Sequence, residues 1–257
     1  MFSARLSSDT ENCSLTTVLQ HGPHILIIDH ANRKVKNFTQ EGIWLSDYCF
    51  DKPPRRACIT PDGEIVVTLQ GAYMIAFLIK IGFELFFSHY IVTAKDYALV
   101  EAFDDKILIC AKCGYPGCID TIDYRGQILK TFSQYSIDGL SVLFPSYLSV
   151  LPSGTLLMSE LRSDGYQALI CCDTSGNIRY FYQGEGQNVV KCPSGVATDQ
   201  NGLRYKLSGT TRSIYLSIYL SIYLSIYLSI YLSNSWHFRR INVTQEPCLR
   251  CTIKKTV

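Results

Sequence analysis

The stretch that decides the fold reads Pro54-Arg-Arg-Ala-Cys-Ile-Thr-Pro-Asp-Gly63 and continues as Glu64-Ile-Val-Val-Thr-Leu69. Proline suits the start of a strand, where its missing N–H removes no ladder hydrogen bond. Asp-Gly supplies the positive φ that a tight hairpin turn requires. Because an apolar run lies on each side of this turn, the stretch predicts a β-hairpin.

The same unit, a leading Pro, eight residues, Gly and an apolar run, recurs along the chain. It returns at 145–154 and 193–202 (the latter without a recognisable apolar run after it), and 96–105 has the same spacing with Asp at both ends. The residues that close the four units are Gly63, Asp105, Gly154 and Gly202, which are 42, 49 and 48 residues apart. A repeat of roughly 40 to 50 residues is typical of β-propeller blades.

Further apolar segments after the first three of these units predict two more strands in each. After 96–105 they are 119–124 and 128–132, and after 145–154 they are 168–172 and 178–182. After 54–63 the very apolar run 72–92 is interrupted by charges and a glycine, so it predicts two outer strands rather than a membrane span. Four antiparallel strands per unit predict the blades of a propeller.

A stretch near the N-terminus, 25–38, predicts a second and third strand without their first. Its pattern Asp29-x2-Asn32-x2-Val35-x2-Phe38, together with Pro-Ser-Gly-Val-Ala-Thr-Asp-Gln-Asn-Gly at 193–202, resembles the NHL repeat. The arrangement is similar to the C-terminal propeller of tripartite-motif (TRIM) proteins with NHL repeats. This resemblance covers about residues 24–202.

The resemblance implies a module that recruits protein or RNA ligands for a ubiquitin ligase. The RING, B-box and coiled coil of tripartite-motif proteins are absent from this sequence, so no ligase activity is assigned to it. We therefore expect a non-catalytic recognition module that needs no cofactor. The alternatives are a metal-dependent lactonase- or lyase-like propeller enzyme and a membrane-tethered propeller.

The sequence departs from this family pattern after Gly202. Leu-Arg-Tyr-Lys-Leu-Ser follows instead of an apolar second strand, and 213–233 repeats Ser-Ile-Tyr-Leu five times before a final Ser. The DNA repeat TCTA encodes this tetrapeptide in every frame, so an intron read as coding sequence would produce it. A long alternating strand and a membrane helix are the other interpretations of the tract.

The predicted organisation follows from these observations. The fold class is all-β, an incomplete NHL-type β-propeller of about four blades with an irregular C-terminal tail. Residues 1–23 are a leader with a partial first strand, 24–202 the partial propeller, and 203–257 the tail. We also expect self-association through open blade edges or through 213–233.

Composition narrows the possible functions. The chain is 47% hydrophobic with a net charge of +2, which excludes disorder and the strong basic excess of a dedicated nucleic-acid binder. The N-terminus has no apolar signal-peptide core, so we expect a cytoplasmic protein whose eleven cysteines stay reduced.

Metal and catalytic motifs are weak. Cys110-x2-Cys113, with Cys118 nearby, and Cys248-x2-Cys251 have the pair spacing of zinc ligands, but the gap between the pairs is far too long for a zinc ribbon. The five histidines share no repeat position. Equivalent positions on the innermost strands are apolar; they are Cys58, Val100, Leu148 and Val196. These features favour a binding module over an enzyme.

Basic loops indicate a possible ligand-binding face. In an up-and-down blade, the loop before the first strand and the loop between strands two and three lie on the same face. The residues that this places together are Arg33, Lys34, Lys52, Arg55, Arg56, Lys112, Tyr115, Arg162 and Tyr166. We call this set the basic rim. Nearby aspartates dilute its charge, and solvated loop tips are the alternative interpretation. A protein or RNA ligand is expected here, and a membrane partner is not.

Overall fold

The structure is a computed structural model that describes most of the first two-thirds of the chain. The residues described are 2–104, 106–112, 117–132, 135–137, 140–142, 144–151, 153–161, 167–182, 193–198, 204–208 and 214–216. Every regular element in these residues is a β-strand, and none of them forms a helix. The predicted all-β class is confirmed.

Four blades of four antiparallel strands form the body of the protein. Blade 1 consists of β1 (Leu15–His21), β2 (His24–Asp29), β3 (Lys34–Thr39) and β4 (Trp44–Cys49). Blade 2 consists of β5 (Pro54–Ile59), β6 (Ile65–Leu69), β7 (Met74–Ile81) and β8 (Glu84–Val92). Blade 3 consists of β9 (Leu99–Ala102), β10 (Ile107–Lys112), β11 (Cys118–Asp123) and β12 (Ile128–Phe132).

Two smaller sheets accompany the fourth blade. A hairpin, β13 (Tyr135–Ile137) and β14 (Leu140–Val142), precedes it. Blade 4 itself consists of β15 (Phe144–Val150), β16 (Leu156–Leu161), β17 (Gln167–Cys172) and β18 (Ile178–Tyr182). A three-stranded sheet follows, with β19 (Pro193–Thr198), β20 (Arg204–Ser208) and β21 (Ile214–Leu216).

The blades are arranged radially, because the first strand of each blade lies beside the first strand of the next. This order runs β1, β5, β9, β15 and β19, and these strands surround the propeller axis. Within each of the four blades the strands pair in chain order from the axis outward. The repeat of a leading Pro and a closing turn therefore corresponds to the inner hairpin of a blade.

Two details differ from the expectations from sequence. Blade 1 has a complete first strand, because β1 pairs with β2 from Leu15↔Asp29 to His21↔His24. Its polar composition (LTTVLQH) conceals it, since an innermost strand needs few apolar side chains. After Gly202 the chain continues as β20 and β21, which pair with each other. The strand β21 uses the first residues of the Ser-Ile-Tyr-Leu tract.

Apolar side chains from neighbouring blades pack face to face. Leu26 and Ile28 of blade 1 share a core with Leu78 of blade 2, and all three are fully buried. Phe77 on the other face of blade 2 packs with Leu108 of blade 3. Because alternate residues of a strand point to opposite faces, one strand serves both interfaces. This explains why the blade strands are continuous apolar runs.

The other face of blade 1 is covered by the N-terminal segment, residues 2–14. Phe2 and Ala4 pack on Ile25, Ile27 and Phe38, with the rings of Phe2 and Phe38 5.2 Å apart. This segment takes the place that a neighbouring blade would take in a propeller. We call residues 2–14 the cover segment.

A buried lysine fastens the cover segment to blade 1. Lys36 Nζ on β3 lies 2.6 Å from Asp9 Oδ2 and 2.7 Å from Asp29 Oδ2, and it donates to the Ala4 carbonyl at 3.0 Å. Burial disfavours the charge of Asp29, but hydrogen bonds from Lys36 and Asn32 outweigh it and hold the Asp29 pKa below its ordinary value. The cover segment is therefore attached by charge as well as by apolar contact.

Candidate functional site at the propeller axis

Three of the innermost strands, β1, β5 and β15, have an irregularity near the end at which they begin. The pairing register shifts between Leu15 and Thr17 in β1, and between Pro54 and Ala57 in β5. The same shift occurs between Pro145 and Tyr147 in β15. A β-bulge re-aims side chains, and bulges are common beside binding sites. The bulges of blades 1, 2 and 4 therefore lie at the same mouth of the axis.

Arg56, at the bulge of β5, connects three blades. Its backbone N–H donates to Thr68 Oγ1 at 3.1 Å, which fixes the bulge against β6. Its guanidinium Nη1 donates to the Thr16 carbonyl of blade 1. Its Cζ also lies 5.2 Å from the ring centroid of Tyr147 in blade 4. One cation thus reaches from blade 2 across the axis.

Glu101, the third residue of β9, brings a carboxyl into the same region. Burial raises its pKa to about 8, and the nearby Arg56 charge offsets only part of this effect. The group therefore holds its proton at pH 7 and can donate a hydrogen bond. Burial, with the charge of Glu101, raises the Tyr147 pKa to about 12, so the phenol is neutral as well. We call Arg56, Glu101 and Tyr147 the axial trio.

The axial trio is rich in hydrogen-bond donors. A guanidinium carries a fixed fork of N–H groups, and a protonated carboxyl and a phenol add one O–H each. Charge-assisted bonds from such donors to a carboxylate or phosphate are stronger than bonds between neutral groups. The arrangement is suited to an anionic or acceptor-rich group of a ligand.

The structure separates the residues of the predicted basic rim. Lys34 is largely buried: its Nζ lies 3.3 Å from both Asp9 Oδ1 and Asp47 Oδ2 and donates to Ser8 Oγ at 2.8 Å. Lys34 thus supports the cover segment instead of a ligand face, because the third strand of blade 1 turns it toward the buried side. Arg56 points to the axis.

Other rim residues remain on the face where the inner strands begin. Arg33 and Lys52 are exposed, and Arg33 Nη1 donates to the Asp51 carbonyl at 3.4 Å. Arg55 and Lys112 are half-buried. Tyr115, Arg162 and Tyr166 lie outside the described residues. Within the described residues, this face therefore keeps four residues of the basic rim, which are Arg33, Lys52, Arg55 and Lys112.

Reasoning from sequence missed Glu101 and Tyr147. The inner positions it chose, Cys58, Val100 and Leu148, are buried between blades as expected, while the side chain of Val196 lies outside the described residues. The polar side chains of the axial trio stand next to those positions. A glutamate inside the short apolar strand Leu99–Ala102 was the available signal.

The described residues contain one group of potential metal ligands, Asp9, Cys13 and Asp29. The Lys36 ammonium already lies against both carboxylates, and burial, with the charge of Asp29, raises the Cys13 pKa to about 11. These residues fit an ion-pair network rather than a metal site. Of the cysteines considered for zinc, Cys110 and Cys118 are buried in blade 3. Cys113, Cys248 and Cys251 lie outside the described residues.

No helix in the described part of the chain has the length and apolar character needed to cross a membrane. Of the tract 213–233, only Ile214–Leu216 is described, and it is strand β21.

Comparison with known proteins identifies the class of fold. The chain matches no protein-family model and no curated protein. It is similar to virginiamycin B lyase from Staphylococcus aureus, with a TM-score of 0.58, 13% identity and coverage of 80% of this chain and 67% of that one. It is also similar to the Dos1 propeller, with a TM-score of 0.54, 11% identity and coverage of 76% and 53%.

A third similar structure is a putative 6-phosphogluconolactonase from Bacteroides fragilis, with a TM-score of 0.54, 16% identity and coverage of 77% and 64%. The chain thus spans between about half and two-thirds of the length of these three proteins. At such low identity the likeness concerns the fold alone. The chain is a β-propeller.

Proposed function

We propose that this β-propeller is a non-catalytic recognition module that binds an acidic segment of a protein ligand at the axial mouth. The observation that carries this proposal is the position of Arg56, a cation at the axis beside two neutral donors. A carboxylate of the ligand would meet the guanidinium there in a partly desolvated setting, where electrostatic attraction is stronger than in water.

Other cations of the same face support this proposal. Arg33 and Lys52 are exposed and Arg55 is half-buried, and all three lie near the beginning of β5. Positive charge around a binding site raises the association rate of an acidic ligand. The pattern shared with NHL repeats supports the same type of function, since that family uses this face for ligands. A net charge of only +2 favours a protein ligand over RNA.

Fluorescence anisotropy with two probes would test the proposal: a labelled glutamate-rich decapeptide and a labelled single-stranded RNA. The triple variant Arg33→Ser, Lys52→Ser and Arg55→Ser should weaken peptide binding by about tenfold or more, since each lost contact contributes up to about 1 kcal/mol. The matched control removes the same charge elsewhere: Lys106→Ser, Arg125→Ser and Lys130→Ser.

The control triple should bind the peptide within about twofold of the unaltered chain. An equal loss in both triples would mean that binding follows net charge and not this face. Tighter binding of RNA than of peptide would overturn the choice of ligand. Absence of binding to either probe at low salt would overturn the proposal itself.

A second candidate function is a lactonase- or lyase-like enzyme, and Glu101 is the observation that favours it. A carboxyl with a pKa of about 8 beside a guanidinium can accept and return a proton near neutral pH. The similar structures named as lyase and lactonase propellers support the same idea. Among the described residues, the one group of potential metal ligands, at Asp9, Cys13 and Asp29, already contacts Lys36.

Mass spectrometry would test this candidate with two compounds that the names of the similar structures imply, virginiamycin B and a 6-phosphogluconolactone. Turnover should follow a pH profile with a midpoint near the Glu101 pKa, and Glu101→Gln should abolish it while binding persists. Absence of product from both compounds across pH 6 to 9 would remove this candidate and leave the recognition module.

A further inference from the structure

Three histidines of blade 1 lie at its boundary with blade 2, and the proposed function uses none of them. They are His21 at the end of β1, His24 at the start of β2 and His30 in the loop after β2. Each contacts a different part of blade 2. Because an unperturbed histidine gains its proton at about pH 6.5, these contacts are exposed to a change of charge just below neutral pH.

The two inner contacts keep their hydrogen bonds when the rings gain a proton. His21 Nε2 lies 2.9 Å from the Gly63 carbonyl oxygen, in the turn between β5 and β6. His30 Nδ1 lies 3.0 Å from the Pro54 carbonyl oxygen, where β5 begins. A carbonyl oxygen only accepts, so each of these nitrogens carries the hydrogen. An imidazolium retains that N–H and donates more strongly, so both bonds survive in acid.

The outer contact, between His24 and the turn that joins β7 to β8, is of a different kind. The His24 ring stacks on Phe83, with centroids 5.7 Å apart and an angle of 27° between the rings. His24 is 6% exposed, and its Nδ1 is buried with no hydrogen-bond partner among the described residues. A proton on this ring therefore places a charge and an unpaired N–H donor in a buried position, which is costly.

The charges around His24 also disfavour a cation at this position. Lys80 Nζ donates to the Gly82 carbonyl at 3.0 Å, so its charge is held at the same turn. Burial, with the charges of Lys80 and His21, holds the His24 pKa below its ordinary value. The acidic groups of the neighbouring turns are Glu41, Asp62 and Glu84. All three are exposed, so solvent and salt screen their charges.

The turn is held on blade 1 through Phe83. Its carbonyl accepts hydrogen bonds from Asn37 Nδ2 at 2.8 Å and from Ser46 Oγ at 2.6 Å, and its ring stacks on His24. The Phe83 side chain is 62% exposed, so little apolar burial opposes its departure. The turn can therefore leave blade 1 without breaking the strand pairing within blade 2.

We propose that His24 is an acid-sensitive latch: a proton on its ring releases the β7–β8 turn from blade 1, while the inner strands of the two blades stay joined. The proton balance sets the direction. The open state, in which the ring is solvated, binds a proton below about pH 6.5, and the docked state binds it only at lower pH. Docking is therefore strongest at neutral pH and weakens in acid. The latch is independent of the axial trio.

The Asn37 side-chain amide reports the latch, because it meets solvent when the Phe83 carbonyl leaves it. Its hydrogen exchange would be followed by NMR with ¹⁵N-labelled asparagine and corrected for the intrinsic rate at each pH. We expect its protection to fall at least about threefold between pH 7 and pH 5. His24→Phe keeps the ring stack and His24→Gln keeps a polar side chain. Neither variant titrates, so protection should be constant in both.

His21→Gln and His30→Gln are the matched controls, and both should retain the fall in protection. The backbone amide of Ile109, in the buried core of blade 3, should show no such fall, which separates release of the turn from global unfolding. Constant or rising protection of Asn37 in acid would overturn the proposal. An equal fall in the two His24 variants would overturn it as well, since the acid effect would then belong to another group.

Discussion

The guanidinium of Arg56 lies over the ring of Tyr147, with Cζ 5.2 Å from the ring centroid, and so joins blade 2 to blade 4 across the propeller axis. The same guanidinium donates to the Thr16 carbonyl of blade 1. These contacts give the cation a structural role at the position where the proposed ligand binds. Stability and binding are therefore linked at this residue.

Replacing Arg56 by Met should destabilise the fold. A cation–π contact contributes about 0.5–2 kcal/mol, and a hydrogen bond from a charged donor about 1.5–3 kcal/mol. We expect a loss of about 2–3 kcal/mol in the free energy of unfolding, measured by urea denaturation. Arg56→Lys keeps the charge without the planar fork, so it should recover only part of this loss. An unchanged unfolding midpoint for Arg56→Met would show that the contacts across the axis do not stabilise the fold.

Glu101 should make stability fall as pH rises. Its pKa is about 8 in the folded protein, against about 4.3 for an unfolded glutamate. Between these values the folded state holds a proton that the unfolded state has lost, so the unfolded state binds fewer protons. Stability therefore decreases from about pH 4.5 up to about pH 8 and then levels off.

The control for this prediction is Glu101→Gln, which mimics the protonated carboxyl at every pH. Because it removes the titration, the variant should be more stable than the unaltered chain at pH 8 by several kcal/mol, at about 1.4 kcal/mol per pKa unit. Thermal unfolding at half-unit pH steps would measure both curves. Parallel curves would contradict the raised pKa of Glu101.

The residue pattern was sufficient to predict the blades because each inner hairpin follows local rules. The turn closed by Gly63 lies where Asp-Gly in the sequence placed it, and β11 and β12 lie close to the predicted strands 119–124 and 128–132. The axial trio could not be predicted, because bulges set the direction of Arg56 and Tyr147 and no local signal fixes a bulge. Contacts between blades bring Glu101 near Arg56 and Tyr147. These contacts join residues far apart in the sequence, so a local pattern does not reveal them.

The cover segment was also invisible in the sequence for a physical reason. Residues 2–14 have no periodicity, so neither a strand nor a helix was indicated. Their role follows from Lys36, a charged residue in a position of β3 that becomes fully buried. From sequence alone, a lysine in a strand is expected to be exposed. The partner Asp9 is 27 positions away, so the sequence gives no local sign that Lys36 is paired and buried.

Replacing Lys36 by Met should detach the cover segment. It leaves Asp29 buried without its cation and Asp9 with Lys34 alone, and breaking a buried ion pair on one side costs about 3–5 kcal/mol. We expect faster protease cleavage within residues 2–14 and a loss of about 3 kcal/mol in unfolding free energy. The double variant Lys36→Met with Asp9→Asn should lose less than the two single variants summed, because it removes a stranded charge. Additive losses would show that Lys36 and Asp9 are not energetically coupled.

Two glycines with the same backbone strain provide a sharper test of the cover segment. Gly42 has φ of +86° and Gly71 has φ of +70°, so alanine is strained by about the same amount at either site, about 1 kcal/mol. They differ in their surroundings. A Cβ at Gly42 would lie 2.1 Å from Cγ of Phe2, whereas a Cβ at Gly71 has nothing within 4 Å.

Gly42→Ala must therefore displace Phe2 from Phe38, while Gly71→Ala costs only the backbone strain. Hydrogen exchange measured by mass spectrometry should show faster exchange of residues 2–14 in Gly42→Ala and unchanged exchange in Gly71→Ala. The loss of unfolding free energy should also be larger at Gly42, because the apolar contact of Phe2 is lost as well. Equal effects at the two glycines would mean that Phe2 adds nothing to the attachment of the cover segment, which would then depend on its polar contacts with Lys34 and Lys36 of blade 1.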